Sequence, residues 1–270
     1  MPHLRSVTFN APLGTHATQF PFTIPAVQSL MGRTLAFTTP VTLLVGENGS
    51  GKSTVLEALA RAIGSITVGS HQVGDDTTLR HIQPLADSLK LVWNQKTRRG
   101  FFLRAEDFFG YAQHLQQTLA EMEGEIRRLE ADETLSKTAR GLAIQPYARE
   151  VTALRRRYGE GLDQMSHGES FIQLFQQRFV PDGLYLLDEP EAPLSPMRQL
   201  AFLGLLKRAV EEQGAQCLIA THSPILLALP HATIYSFDEG AVQPIAYEDT
   251  EHVRLTRDFL THPEQFLRHL

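Results

Sequence analysis

Gly46-Glu47-Asn48-Gly49-Ser50-Gly51-Lys52-Ser53-Thr54 fills every demanded position of the phosphate-binding pattern G-x-x-x-x-G-K-[ST]. Its flanks decide what the stretch means. Val41-Thr42-Leu43-Leu44-Val45 ahead of it reads as a short buried strand, and residues 55–63 behind it as a helix that Gly64 stops. Glycines at 46, 49 and 51 let the backbone bend so that successive N–H groups point inward at phosphate oxygens, and the helix N-terminus adds its partial positive charge. In that arrangement Lys52 reaches the β- and γ-phosphates, Ser53 sets its hydroxyl on Mg²⁺, and Thr54 contacts the α-phosphate side. The competing account is a glycine-rich turn between a strand and a helix. The Lys-Ser pair and both correct flanks favour a nucleotide.

At 270 residues the chain is long enough for one large α/β domain, or for a domain with a substantial insertion. Hydrophobic content of 42% and charged content of 20% are those of an ordinary globular protein, so the class must come from pattern. A net charge of −5 gives no global attraction to nucleic acid or to an anionic membrane. Cys217 is the only cysteine, which excludes a disulfide framework and a cysteine metal site and suits a reducing, cytoplasmic compartment. Met1-Pro2-His3-Leu4-Arg5 lacks the apolar stretch of a signal peptide, and the apolar region 215–230 is broken by Thr221-His222-Ser223-Pro224, so no membrane span is expected.

Residues 4–9, 36–39 and 41–45 read as strands of an antiparallel subsheet ahead of the phosphate loop, in which Phe20, Phe22 or Phe37 either packs in the core or stacks on a base. Residues 65–84 turn polar and read as a surface loop. Residues 89–93 and 100–103 read as strands joined by the basic turn Lys96-Thr97-Arg98-Arg99. From Tyr111 the period changes: Tyr111, Leu115, Leu119, Met122, Ile126 and Leu129 lie on one helical face, with charges opposite. A second polar helix is expected over 149–158.

Chemistry is dense in the second half. Met165-Ser166-His167-Gly168-Glu169-Ser170 opens a helix, with Ser166 and Glu169 in capping-box relation. Gly183-Leu184-Tyr185-Leu186-Leu187-Asp188-Glu189-Pro190-Glu191 is an apolar strand that ends in acids, which packing does not ask for. Carboxylates at a strand's C-terminal end in an open α/β sheet face the ligand crevice. A helix follows from Pro196 to its stop at Gly214, then a buried strand over 216–220 that ends in Thr221-His222-Ser223-Pro224. A hairpin turned by Asp238-Glu239-Gly240 and two short helices over 251–260 and 263–270 complete the pattern.

In order and spacing these blocks resemble the ATP-binding cassette (ABC) type ATPase domain. Residues 46–54 match Walker A, Ser166-His167-Gly168-Glu169 the signature, 184–189 Walker B, and His222 the switch histidine. Asp188 follows Ser166 by 22 residues and His222 follows Glu189 by 33, both typical of the family. The loop wording leans toward the soluble branch that includes chromosome-maintenance, recombination-repair and overcoming-lysogenization ATPases, and the whole chain is similar to small bacterial AAA/ABC-type ATPases. The resemblance implies one ABC-type domain over 1–270 with an antiparallel β subdomain, a mainly parallel core sheet, and a helical subdomain at 111–160. It implies ATP and Mg²⁺ as cofactors. Gly46, Glu47, Asn48, Gly49, Ser50, Gly51, Lys52, Ser53 and Thr54 hold nucleotide, Ser53 and Asp188 the metal, while Glu189 polarises the attacking water and His222 bonds the γ-phosphate.

Two positions depart from the family. Where members usually carry a glutamine ahead of the helical subdomain, the matching position holds Glu106, a candidate metal contact, with Gln95 the alternative. After Walker B, Ser195 stands where an aspartate is common. Ser166 and Gly168 imply assembly, since in the family they complete the site of the other subunit. One copy of each element then means a head-to-tail homodimer with ATP sandwiched at the interface. Three functional classes follow: a soluble ATP-driven switch working with nucleic acid or a nuclease partner in DNA repair or phage defence, the ATP-binding subunit of a membrane transporter, and a non-catalytic module that dimerises on nucleotide.

Overall fold

Val41–Val45, Leu184–Asp188 and Gln216–Ala220 are strands in which every residue is buried. A strand covered on both faces has no reason to alternate polar and apolar residues, so these segments read as runs. The computed structural model describes residues 1–12, 18–67, 73, 77–158 and 167–268. In chain order the strands are β1 (Leu4–Phe9), β2 (Thr34–Ala36), β3 (Val41–Val45), β4 (Leu89–Trp93), β5 (Phe102–Arg104), β6 (Leu184–Asp188), β7 (Gln216–Ala220), β8 (Thr233–Ser236) and β9 (Gln243–Pro244).

Among the described residues they form two sheets. One is antiparallel, in the order β2-β1-β4; the other has six strands in the order β5-β6-β7-β3-β8-β9, parallel except for β9. The fold is α/β, with a mostly parallel core sheet beside an antiparallel one. The register aligns Leu44 with Ala220 and Ala220 with Asp188, so β3, β6 and β7 end at one level. That shared edge carries the phosphate loop, the acids after β6 and the Thr-His after β7. Gln216 ties the two sheets together: fully buried, it accepts from Leu4 N at 2.8 Å and donates to Leu4 O at 2.9 Å.

Helix α1 (Pro25–Leu30) precedes β2, and α2 (Lys52–Ile63) leaves the phosphate loop, burying Val55, Leu56, Ala58, Leu59 and Ala60. Gly64 ends α2 in the left-handed region, where a glycine has no Cβ to clash. After α3 (Gln83–Ser88) come α4 (Ala105–Ala131), α5 (Lys137–Tyr158) and α6 (His167–Arg178), then α7 (Pro196–Gln213), α8 (Pro224–Leu227), α9 (Glu251–Thr261) and α10 (Pro263–Leu267). The chain divides into two units, Met1–Ala105 with Phe179–Leu270, and Glu106–Arg178. The second unit is helical. Arg155 on α5 pairs with Glu123 on α4 at 2.7 Å, and Phe108 on α4 meets Phe171 on α6 edge to face at 4.7 Å.

Several local expectations change. The strand read over 36–39 lies at Thr34–Ala36, where Ser6, Val7 and Thr8 of β1 find their partners, and Val41–Val45, expected in that antiparallel subsheet, pairs instead in parallel with β7 and β8 in the core sheet. The polar segment 65–84 is not a plain surface loop: Val73, Leu79 and Ile82 join the hydrophobic core that contains Leu56 and Leu59, and Arg61 donates to the carbonyls of Val73 and Leu79. The strands on either side of the basic turn are not paired with each other. β4 pairs with β1, whereas β5 pairs with β6, so this turn carries the chain from one sheet to the other. The helix expected over 149–158 begins at Lys137 and runs through Pro146.

Candidate functional site

The phosphate loop is built as its glycines require. Gly46 has φ +151°, and a Cβ there would come within 2.9 Å of Asp238 Oδ1 and 3.1 Å of Ser50 Oγ. Gly51 has φ +103°, and its Cβ would meet Ile24 at 2.9 Å. Both positions therefore exclude a side chain on conformation and on space. Asp238 fastens the loop to β8, taking the Glu47 N–H at 2.9 Å on Oδ1 and the Ser236 hydroxyl at 2.9 Å on Oδ2. Lys52, first residue of α2 and 4% exposed, donates from Nζ to Gly46 O at 2.7 Å and Glu47 O at 3.0 Å. Burial pushes its pKa down, against the pull of Glu189, Asp188, Asp238 and Glu47. Ser50 Oγ is buried without a hydrogen-bond partner, inside a turn that opens a helix of 12 residues. An orphaned hydroxyl in that setting fits a phosphate oxygen.

Across the sheet edge, Ser53 Oγ donates to Asp188 Oδ1 at 3.1 Å. Burial pushes the Asp188 carboxyl up to about 7, with the Ser53 bond opposing it. Among the described residues no cluster of three or more His, Cys, Asp or Glu is placed to hold a metal ion. Two oxygen donors such as Ser53 and Asp188 still fit Mg²⁺, which takes one or two protein ligands and fills its octahedron with phosphate oxygens and water. Glu189 turns out of the strand at φ +49°, a left-handed conformation that costs a non-glycine residue of the order of 1–3 kcal/mol. Its N–H still bonds Ala220 O at 2.9 Å, and its carboxylate lies 3.5 Å from His222 Nε2. Burial, then the charges of Lys52 and His252, hold the His222 pKa below the usual imidazole value, which favours the neutral ring.

Comparisons with known proteins fit this geometry. Hemin import ATP-binding protein HmuV of Burkholderia thailandensis is 31% identical over 219 residues, 75% of this chain and 75% of its own length. The chain belongs to the ABC-type P-loop ATPases. Phosphonates import ATP-binding protein PhnC 2 of Oceanobacillus iheyensis is 26% identical over 188 residues, 66% of this chain and 68% of its own. A family model described as "AAA domain" matches residues 23–145, and one described as "AAA domain, putative AbiEii toxin, Type IV TA system" matches 170–228. Among solved structures, cbiO1 from Clostridium perfringens, part of the ABC transporter complex cbiONQ, aligns at 16% identity and TM-score 0.48 over 99% of this chain and 100% of that one. ATP binding and hydrolysis are the activity of the family. Among the described residues no helix is long and apolar enough to cross a membrane.

For an ABC-type ATPase, the residues read from sequence distribute unevenly. Residues 46–54, Asp188, Glu189 and His222 share one edge of the core sheet. Glu106 is an exposed residue in the first turn of α4 and, like Gly168 near the start of α6, belongs to the second unit. Ser166 lies outside the described residues. Gln95 follows β4 on the antiparallel sheet, and its N–H bonds His3 O at 3.3 Å, so it does not follow a strand of the core sheet. Ser195 takes the N-cap position of α7, where its carbonyl accepts from Gln199 N at 2.9 Å. Phe22 and Phe37 are 2% and 3% exposed and have no free face for a base, whereas Phe20 is 51% exposed and lies 5.4 Å from the His81 ring.

Two residues of this ABC-type site had no role assigned from the sequence. Glu191 Oε1 accepts from Thr221 Oγ1 at 2.6 Å, His222 N at 2.7 Å and Ser223 N at 3.1 Å, so one buried carboxylate shapes the loop that presents His222. Burial raises its pKa and those hydrogen bonds oppose the rise. The second Glu of Asp-Glu-Pro-Glu was the available signal. Glu191→Ala is expected to leave the Thr221 hydroxyl and the His222 N–H without an acceptor, Ser223 N keeping Thr221 Oγ1 at 3.0 Å, and to lower stability by about 2–4 kcal/mol, read by urea denaturation. Loss of less than about 0.5 kcal/mol would mean that the loop holds itself. His252 is the other residue: its Nε2 lies 2.9 Å from His222 Nδ1.

Proposed function

We propose that the chain is a Mg²⁺-dependent ATPase that works as a switch, two copies closing head to tail around two ATP molecules and parting after hydrolysis. The observation that carries this reading is the sheet edge where Lys52, Ser53, Asp188, Glu189 and His222 converge. Lys52 faces the β- and γ-phosphates, and Ser53 and Asp188 hold the metal, which when bound neutralises charge on those oxygens. Glu189, exposed enough to reach water and set beside a neutral imidazole, orients and polarises the attacking water. His222 offers an N–H toward the γ-phosphate. Ser166 and Gly168 complete the site of the other copy, as in the family that the motifs resemble. The 106–178 helical unit contains the 111–160 insertion, with Glu106 at its entry as a contact for the metal or for the γ-phosphate.

The proposed setting is cytoplasmic, with nucleic acid or a nuclease as partner, in repair or phage defence. The family model over 170–228, with its toxin description, supports a defence role. A second reading, the ATP-binding subunit of an importer, is favoured by the hemin and phosphonate import relatives. Glu106 in place of a glutamine weighs against it. ATP turnover measured with Mg²⁺ or with a chelator, with and without DNA or RNA across a salt series, and particle mass by light scattering with and without ATP, test both. Phosphate release that needs Mg²⁺, a mass that doubles with ATP, and nucleic-acid stimulation that fades with salt support the switch. Copurification with an integral membrane protein and no response to nucleic acid support the importer, and a monomer at every ATP concentration overturns the closing dimer.

A further inference from the structure

His222 is not alone at the end of β7. Its Nδ1 lies 2.9 Å from Nε2 of His252, with ring centroids 4.9 Å apart, while its Nε2 looks the other way, 3.5 Å from Glu189 Oε1. His252 is the second residue of α9, and that turn is held firmly. Thr250 ahead of it is 1% exposed and donates to Tyr247 O at 2.8 Å; Val253 after it is 6% exposed; the Tyr247 hydroxyl donates to Pro224 O at 3.3 Å, two residues beyond His222. The imidazole pair is therefore set by packing on both sides.

When both imidazoles are neutral the hydrogen bond between them has one donor, and the choice propagates. If His222 donated from Nδ1, its Nε2 would turn a bare lone pair on the Glu189 carboxylate, and His252 would carry its own proton on Nδ1, a buried atom with no partner. The first consequence is unfavourable by charge repulsion, and it decides between the tautomers, because either one leaves a buried ring N–H without a hydrogen-bond partner. If His252 donates from Nε2, its Nδ1 keeps only an unpaired acceptor, and His222 bears its proton on Nε2, which makes no hydrogen bond but lies 3.5 Å from the Glu189 carboxylate, so charge attracts the N–H where it would repel a lone pair.

We infer that His252 is a positioning residue for ATP turnover, its Nε2–H donated to His222 Nδ1 holding His222 in the tautomer whose proton sits on Nε2 and faces Glu189 and the reacting phosphate. This rests on the proposed role of His222. It also ties the first turn of α9 to the chemistry. A partner bond that orients a functional histidine is typically worth 10- to 100-fold in related settings, about 10-fold being expected here in kcat with KM for ATP within about 2-fold.

The test has an activity arm and a spectroscopic arm. His252→Ala should turn over about 10-fold more slowly, and His252→Gln, whose amide nitrogen can occupy the Nε2 position and donate, should recover to within about 3-fold of wild type. Combined with His222→Ala, His252→Ala should add nothing further. Independently of turnover, ¹⁵N imidazole shifts of the nucleotide-free protein, read above the lowered pKa of His222, should report its proton on Nε2. If His222→Ala keeps wild-type turnover, the reading of His222 itself fails. If His222→Ala is slow while His252→Ala is not, or if the Gln variant stays as slow as the Ala variant at an unchanged melting temperature, this inference alone falls. A proton found on Nδ1 of His222 overturns it outright.

Discussion

Lys52→Ala is expected to raise the Kd for ATP by about 100-fold or more, because two charge-assisted bonds to phosphate at about 1.5–3 kcal/mol each are lost. The ammonium is well prepared for such a ligand. It is 4% exposed, tied to the Gly46 and Glu47 carbonyls, and surrounded by the carboxylates of Glu189, Asp188, Asp238 and Glu47. A buried cation held by carbonyls inside a loop exchanges those neutral acceptors for charged phosphate oxygens at little conformational cost. Titration with a fluorescent ATP analogue, beside a melting curve to show that the variant folds, reads the effect. Lys52→Arg should not restore affinity, since a planar guanidinium does not fit where a point charge sits under two carbonyls. Affinity within about 3-fold of wild type in the Ala variant would remove Lys52 from nucleotide binding and with it the proposed site.

Glu189→Gln is expected to lower kcat by about 100- to 10,000-fold, the range lost with a positioned general base, while leaving ATP affinity close to wild type. The substitution keeps the shape of the side chain and the left-handed turn at φ +49°, so what it removes is the negative charge beside His222 Nε2. Binding without turnover should then trap the closed species, and light scattering with Mg²⁺ and ATP should show twice the mass seen without nucleotide. Turnover at the wild-type rate would take Glu189 out of the catalytic role. A slow variant that stays monomeric would keep the chemistry and discard the dimer.

The sites of these two substitutions were legible because they are written locally. Residues 46–54 carry glycines that the loop geometry demands, and Leu184–Asp188 is an apolar strand ending in charge. Other features were legible only afterwards. Leu89–Trp93 and Phe102–Arg104 flank a basic turn that looks like a hairpin, yet β4 is half-buried on alternate residues and belongs to the antiparallel sheet, while the start of β5 is buried throughout and belongs to the parallel one. The difference between an alternating strand and an apolar run was the cue. Segment 65–84 hid its core residues Val73, Leu79 and Ile82 in a stretch whose composition is mostly polar.

By itself the sequence determined the phosphate loop, the buried strands around it, the helix that follows and the family, because each of these is a run of neighbours whose backbone chemistry is settled within a few residues. Tertiary structure alone decided that Glu191 would hold the loop of His222 across a gap of 31 residues, and that His252 would meet His222 across 30. It also set Asp238 under the phosphate loop 191 residues from Glu47. Such pairings depend on parallel register, which levels Leu44, Ala220 and Asp188 at one edge, and on where β8 and α9 come to rest beside it. No local preference encodes a register; it is set when whole strands bury their faces together.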